Sequence, residues 1–131
     1  MVRLGIENIS VFGLPPVAFV ELAADLGCQC ISTGLTSFDF GVCNYPPFSL
    51  RDDPVLRHEM MAAMKDRGIA ISLGEGLTIR PGVSVTDYTA DLDLFCELGA
   101  ETINTVSMDP DLERTFDEVA ILAEMVGQRG L

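Results

Sequence analysis

The residues of this 131-residue chain that could do chemistry unaided are few, and their spacing argues mostly against it. Four cysteines stand at 28, 30, 43 and 96. Cys28-Gln29-Cys30 is one residue short of the C-x-x-C pair used for zinc or redox work, and no second pair follows. The cysteines therefore read as buried small hydrophobes in a reducing compartment. The single histidine, His58, falls inside a helical pattern after Pro54 and reads as a solvent-facing helix residue. Gly74-Glu75-Gly76 is a G-x-G, but it follows a strand pattern and opens a loop ending in Arg80-Pro81-Gly82, so it reads as a turn. No G-x-G-x-x-G follows the first strand and no G-x-x-x-x-G-K-[ST] occurs, so the phosphate cradles of doubly wound nucleotide folds are missing. Carboxylates at 91 and 93 and across 111–118 fall on helices and read as a solvated face.

Twenty acidic against eight basic residues leave a formal net charge of −12. A protein that neutralises phosphates needs a basic surface, so neither nucleic acid nor an anionic membrane is an expected partner. No apolar stretch nears the roughly 20 residues of a spanning helix, and the first residues do not form a signal peptide. The expected address is cytoplasmic. With 48 % hydrophobic residues, this length suits one compact segment.

The positioning elements repeat. Four helical patterns run into glycines at 27, 68, 99 and 130, where a left-handed cap lets the chain turn. The last two intervals are both 31 residues, about one βα unit. Phe19, Leu22, Ala23 and Leu26 form one apolar stripe, and Phe116, Val119, Ala120 and Ala123 repeat its spacing. Met60, Met61 and Met64 fall near one helical face and read as packing. Asp53-Pro54 and Asp109-Pro110 each place a capping carboxylate before a first-turn proline, and Ser84 or Thr86 can cap the third helix. Residues 4–10, 30–35, 69–74 and 102–108 are short and rich in Ile, Val, Leu and Thr, which predicts strands. The order β-α-β-α-β-α-β-α implies a parallel sheet with right-handed crossovers. One long connection, 36–53, carries Phe38, Phe40, Tyr45 and Phe48, and reads as a lid or a packing flap.

Three stretches carry a family resemblance: Phe19-Val20-Glu21-Leu22-Ala23-Ala24-Asp25-Leu26-Gly27-Cys28, Met64-Lys65-Asp66-Arg67-Gly68-Ile69-Ala70-Ile71-Ser72-Leu73 and Cys96-Glu97-Leu98-Gly99-Ala100-Glu101-Thr102-Ile103-Asn104. Their order and wording resemble the amino-terminal half of the xylose-isomerase-like TIM barrels, the sugar phosphate isomerase/epimerase group. Residues 123–131 resemble the approach to that family's fifth strand. The chain departs from the pattern at Ile31-Ser32, where members often carry Val-Glu. It also lacks the early-strand histidines of the branch resembling endonuclease IV. The resemblance implies an α/β fold, the (βα)4 half of a (β/α)8 barrel, with residues 1–131 as a segment of a longer protein. It also implies a divalent metal in the complete barrel, held by carboxylates and a histidine on later strands, with none bound by this segment alone.

In such a barrel the site lies at the carboxyl ends of the strands. That rule selects Glu7, Asn8, Ser32, Glu75, Asn104 and Ser107 as substrate-binding candidates, with Thr33 beside them. Asp109 reads as a helix cap, and Glu75 reads equally as a ligand-facing or a solvated loop carboxylate. The implied reaction is proton transfer beside a carbonyl in a small sugar or polyol, by a metal-dependent isomerase or epimerase forming a homo-oligomer. The same barrel also hosts polyol dehydratases and lyases. Two non-catalytic alternatives are a self-associating half-barrel and a four-stranded α/β binding domain.

Overall fold

A computed structural model describes residues 2–38 and 41–131. Strands β1 (Gly5–Ile6), β2 (Cys30–Thr33), β3 (Ala70–Ile79) and β4 (Ile103–Ser107) alternate with helices α1 (Pro16–Asp25), α2 (Pro54–Arg67), α3 (Thr89–Leu98) and α4 (Leu112–Gly127). The strands pair in chain order, β1-β2-β3-β4, and every pair is parallel.

Local chemistry sets the element ends. Asp53 Oδ1 accepts from the Leu56 amide at 3.0 Å, Pro54 opens α2, and Gly68 closes it at φ 68°. Ser84 caps the 3-10 turn Val85–Tyr88 that leads into α3. The last helix departs from expectation. Its cap is Asp111, whose carboxylate accepts from the Arg114 amide at 3.1 Å, and not Asp109. Asp109 takes the Asp111 amide at 2.9 Å and the Arg114 guanidinium instead, which holds its carboxyl below the ordinary 3.8.

Two strands also differ from the sequence reading. β1 is only two residues long, because the Asn8 amide bonds the Ser32 hydroxyl (3.0 Å) and the chain turns into a 3-10 helix, Asn8–Val11. β3 runs on to Ile79 instead of ending at Gly74. Between the pairs Gly74–Ile103 and Leu77–Thr105, β3 advances three residues while β4 advances two, so one residue bulges out. Gly76, at φ 98°, supplies the conformation the bulge needs. Glu75 therefore lies within a strand.

The helices cover one face of the sheet. Ile31, Ile71, Leu77 and Ile79 pack there with Val20, Met60, Leu92 and Phe95, all nearly or fully buried. Each fully buried side chain of this size contributes roughly 1.5–3 kcal/mol. Other expectations fail for lack of a neighbour. On α4 only Leu122 is buried, while Leu112 and Phe116 are 67 % and 71 % exposed and Val119, Ala120 and Ala123 are exposed too. Cys28 and Cys30 are buried, but Cys43 and Cys96 are exposed, and all four are unpaired.

The closest seat is at Gly74, where a Cβ would lie 2.7 Å from both Ile103 Cδ1 and Phe95 Cδ1. Gly74→Ala should therefore cost about 1–3 kcal/mol by overpacking. Urea denaturation checks this, and an unchanged midpoint would mean that α3 sits further from the sheet.

Candidate functional site: a two-lobed cleft on the open sheet face

Alternation along the strands sends Ser32, Thr78 and Asn104 away from the helices, each standing between neighbours that face the core or the adjoining strand. On this side lies a cleft of about 290 Å³, lined by Glu7, Phe38, Glu75, Thr78, Asn104 and Val106 among others. A smaller lobe of about 130 Å³ shares Phe38, Glu75, Gly76, Leu77 and Thr78 with it and continues to Arg51 and Asp91. Phe38 and Glu75 thus stand where the two lobes meet.

Of the six candidates, the fold brings Glu7, Glu75 and Asn104 together in the larger lobe. Among the described residues, the carboxylates of Glu7 and Glu75 take part in no ion pair and are available to a ligand. Ser32 is 4 % exposed and lines a neighbouring hollow with Glu7, Cys30 and Ser72. Its hydroxyl is already occupied by the Asn8 amide, and Thr33 spends its own on the Gly34 carbonyl at 3.1 Å. Asn8 lies outside the cleft lining, with its Oδ1 buried and unpaired among the described residues. Ser107 belongs to another structure. Its Oγ lies 2.8 Å from Thr115 Oγ1 and accepts from the Asp109 amide, which ties it to the start of α4.

Arg51, Asp91 and Thr78 escape the sequence reading. Asp91, read there as part of a solvated face, is 8 % exposed and held by Arg51 through two bonds, Nε–Oδ1 and Nη2–Oδ2, each 2.8 Å. This fork raises the Arg51 pKa, with desolvation opposing it. Residues forty apart in sequence give no local spacing signal. Thr78 escapes because the strand outlasts Gly74. The long connection folds back on itself through a Thr36–Ser49 bridge and a Ser37 N–Phe48 O bond of 3.0 Å. Arg57 pins its end by donating to the Leu50 and Arg51 carbonyls. Phe48 packs on the core and Phe38 borders the cleft, while Phe40 lies outside the described residues. His58 is exposed on α2.

No protein-family model matches the sequence, and no curated protein matches it. Solved structures do. A D-psicose 3-epimerase from Clostridium cellulolyticum H10, determined with D-tagatose, matches 99 % of this chain with a TM-score of 0.67 at 15 % identity. A xylose isomerase domain protein from Alicyclobacillus acidocaldarius matches 98 % with a TM-score of 0.59 at 17 % identity. The chain has the fold of half a xylose isomerase-like TIM barrel. A fusion protein of a xylose isomerase-like TIM barrel and 4-hydroxyphenylpyruvate dioxygenase also matches, over 97 % of the chain, with a TM-score of 0.66 at 21 % identity. The half-barrel spans 50 %, 46 % and 20 % of these three chains in turn.

A divalent ion needs several oxygen or nitrogen donors around it. Among the described residues no three His, Cys, Asp or Glu side chains stand close enough to hold one, so the cleft by itself does not fit a metal. Among them, too, no helix is long and apolar enough to cross a membrane.

The Arg51–Asp91 fork predicts an asymmetry. Arg51→Met strands a carboxylate whose side chain is only 11 % exposed, whereas Asp91→Asn frees a guanidinium that is 46 % exposed and can hydrate. The first should cost about 2–3 kcal/mol and the second about 1. Urea midpoints of both variants at pH 7 check this, and equal losses would contradict it.

Proposed function

We propose that this half-barrel is the amino-terminal half of a sugar or polyol isomerase/epimerase and supplies part of its substrate-holding wall. The observation that carries the reading is the convergence of the unpaired Glu7 and Glu75 carboxylates and the Asn104 amide on one cleft of the open sheet face. Sugars present rows of hydroxyls. Carboxylates accept from them, and an amide both accepts and donates. The Phe38 ring offers an apolar wall to the C–H face of a sugar. The D-psicose 3-epimerase structure, with its bound D-tagatose, supports a ketohexose-like ligand.

The work assigned to these residues is binding and orientation. Charge-assisted bonds from Glu7 and Glu75 fix which hydroxyls face the reacting carbon. The complete barrel is expected to need a divalent ion and the groups that move the proton, and both lie outside the residues described. The four free cysteines suit a reducing cytoplasm.

Because Glu75 has no ion-pair partner among the described residues, Glu75→Gln should leave the melting temperature unchanged while weakening D-tagatose binding about tenfold, ~1.4 kcal/mol. Isothermal titration of both proteins checks this. Unchanged affinity would remove Glu75 from the site.

A further inference from the structure

β3 outlasts one of its neighbours. β2 stops at Thr33, opposite Gly74, while β3 runs on to Ile79 beside β4. Among the described residues, β3 beyond Gly74 has a strand partner on the β4 side alone. Alternate residues of a parallel strand present their backbone groups to the same neighbour. The Leu77 carbonyl accepts from the Thr105 hydroxyl at 2.9 Å and the Ile79 carbonyl from the Met108 amide at 2.8 Å, so residues 77 and 79 face β4. Thr78, between them, turns its N–H and C=O to the side that β2 has left. Those groups are partly buried and need partners.

A single side chain supplies both. The Tyr88 hydroxyl donates to the Thr78 carbonyl at 2.7 Å, accepts from the Thr78 amide at 3.3 Å and lies 3.4 Å from Thr78 Oγ1. A phenol is donor and acceptor at once, so one oxygen stands in for the rung a strand would have made. Its base is fixed on both sides. Tyr88 closes the 3-10 turn Val85–Tyr88, where Val85 is buried and its amide donates to Glu118 Oε2 of α4 at 2.7 Å. In the first turn of α3, Asp91 is gripped by Arg51.

We propose that Tyr88 is a positioning residue of the cleft: its hydroxyl holds the bulged end of β3, and with it Glu75 and Thr78, in the geometry that meets the ligand. The segment 75–78 is anchored at one end by the last β2 pairing, at Gly74, and at the other by this phenol. Between the anchors Gly76 stands at φ 98°, a backbone that resists bending little. β4 grips only the opposite edge, so without the phenol the segment is free to tilt. Glu75 and Thr78 line both lobes, so a tilt moves ligand-holding groups in each. The link to a ligand rests on the sugar reading above, whereas the tether itself does not.

Tyr88→Phe tests this, since it keeps the ring and removes only the hydroxyl. In the 131-residue chain circular dichroism should be unchanged. Hydrogen exchange of the Thr78 amide should quicken at least about tenfold. The Ala70 and Gly74 amides, bonded to the Gln29 and Thr102 carbonyls, should keep their rates. The amide shifts of Glu75 and Gly76 should move even without sugar. Affinity for D-tagatose, measured well below the melting temperature, should fall about five- to tenfold. A merely structural tyrosine would lower the melting temperature and speed exchange along all of β3 while leaving the folded chain's affinity intact, and that result overturns the proposal. Unaltered exchange at Thr78 overturns it too, as does quickened exchange with undiminished affinity. If the unsubstituted chain binds no D-tagatose, the sugar reading fails, and the sugar-free shifts then decide the tether: moved at Glu75 and Gly76 they uphold it, unmoved they overturn it.

Discussion

A parallel sheet must be covered, and among the described residues helices cover only one of its faces. The close seating of the helices on the face formed by Ile31, Ile71, Leu77 and Ile79 is the contact on which the rest depends. It is tight enough that position 74 has no room for a Cβ. Burial on that side leaves alternate residues no choice but the other, where Thr78 and Asn104 line a cleft. A barrel interior with polar groups at its mouth is the product of that alternation.

The bulge in β3 refines the arrangement. An uninterrupted β3 would keep strict alternation with β4, whereas the extra residue at Glu75-Gly76 lets Gly74 and Leu77 both face the helices. Glu75 is thereby placed in both lobes of the cleft instead of at a loop tip. The Arg51–Asp91 fork does the equivalent for the long connection. It ties the end of that segment to the first turn of α3, and the return of the chain through Thr36 and Ser49 leaves Phe38 at the cleft border. A strand irregularity and a long-range ion pair, rather than a motif, shape the candidate site.

The periodic parts of this architecture were legible in the sequence. The glycine recurrence and the Asp53-Pro54 cap depend on neighbours a few residues apart, and the alternation of strands and helices follows from them, whereas of the stripe from Phe19 only Phe19 and Ala23 are buried and Leu26 is 57 % exposed. What escaped depends on distant partners. Nothing local at Asp91 announces Arg51, and nothing at Asp109 announces that Arg114 will draw its carboxylate away from the helix start. The stripe on α4 has the right period and no neighbour to cover it, since period reports amphipathicity but not whether a partner is present. Glu7, Glu75 and Asn104 came from a general rule about strand ends, which also chose Asn8 and Ser107. The rule sees the end of a strand but not where its side chain turns.

The central claim is that the open, helix-free face of the half-barrel holds a polyhydroxylated ligand. The most direct measurement follows backbone amide shifts of the isotope-labelled chain as D-tagatose is added. The account predicts shifts concentrated at Glu7, Glu75, Gly76, Thr78 and Asn104, with α2 and the outer surface of α3 silent. Shifts confined to the helices, or none at saturating sugar, would contradict it.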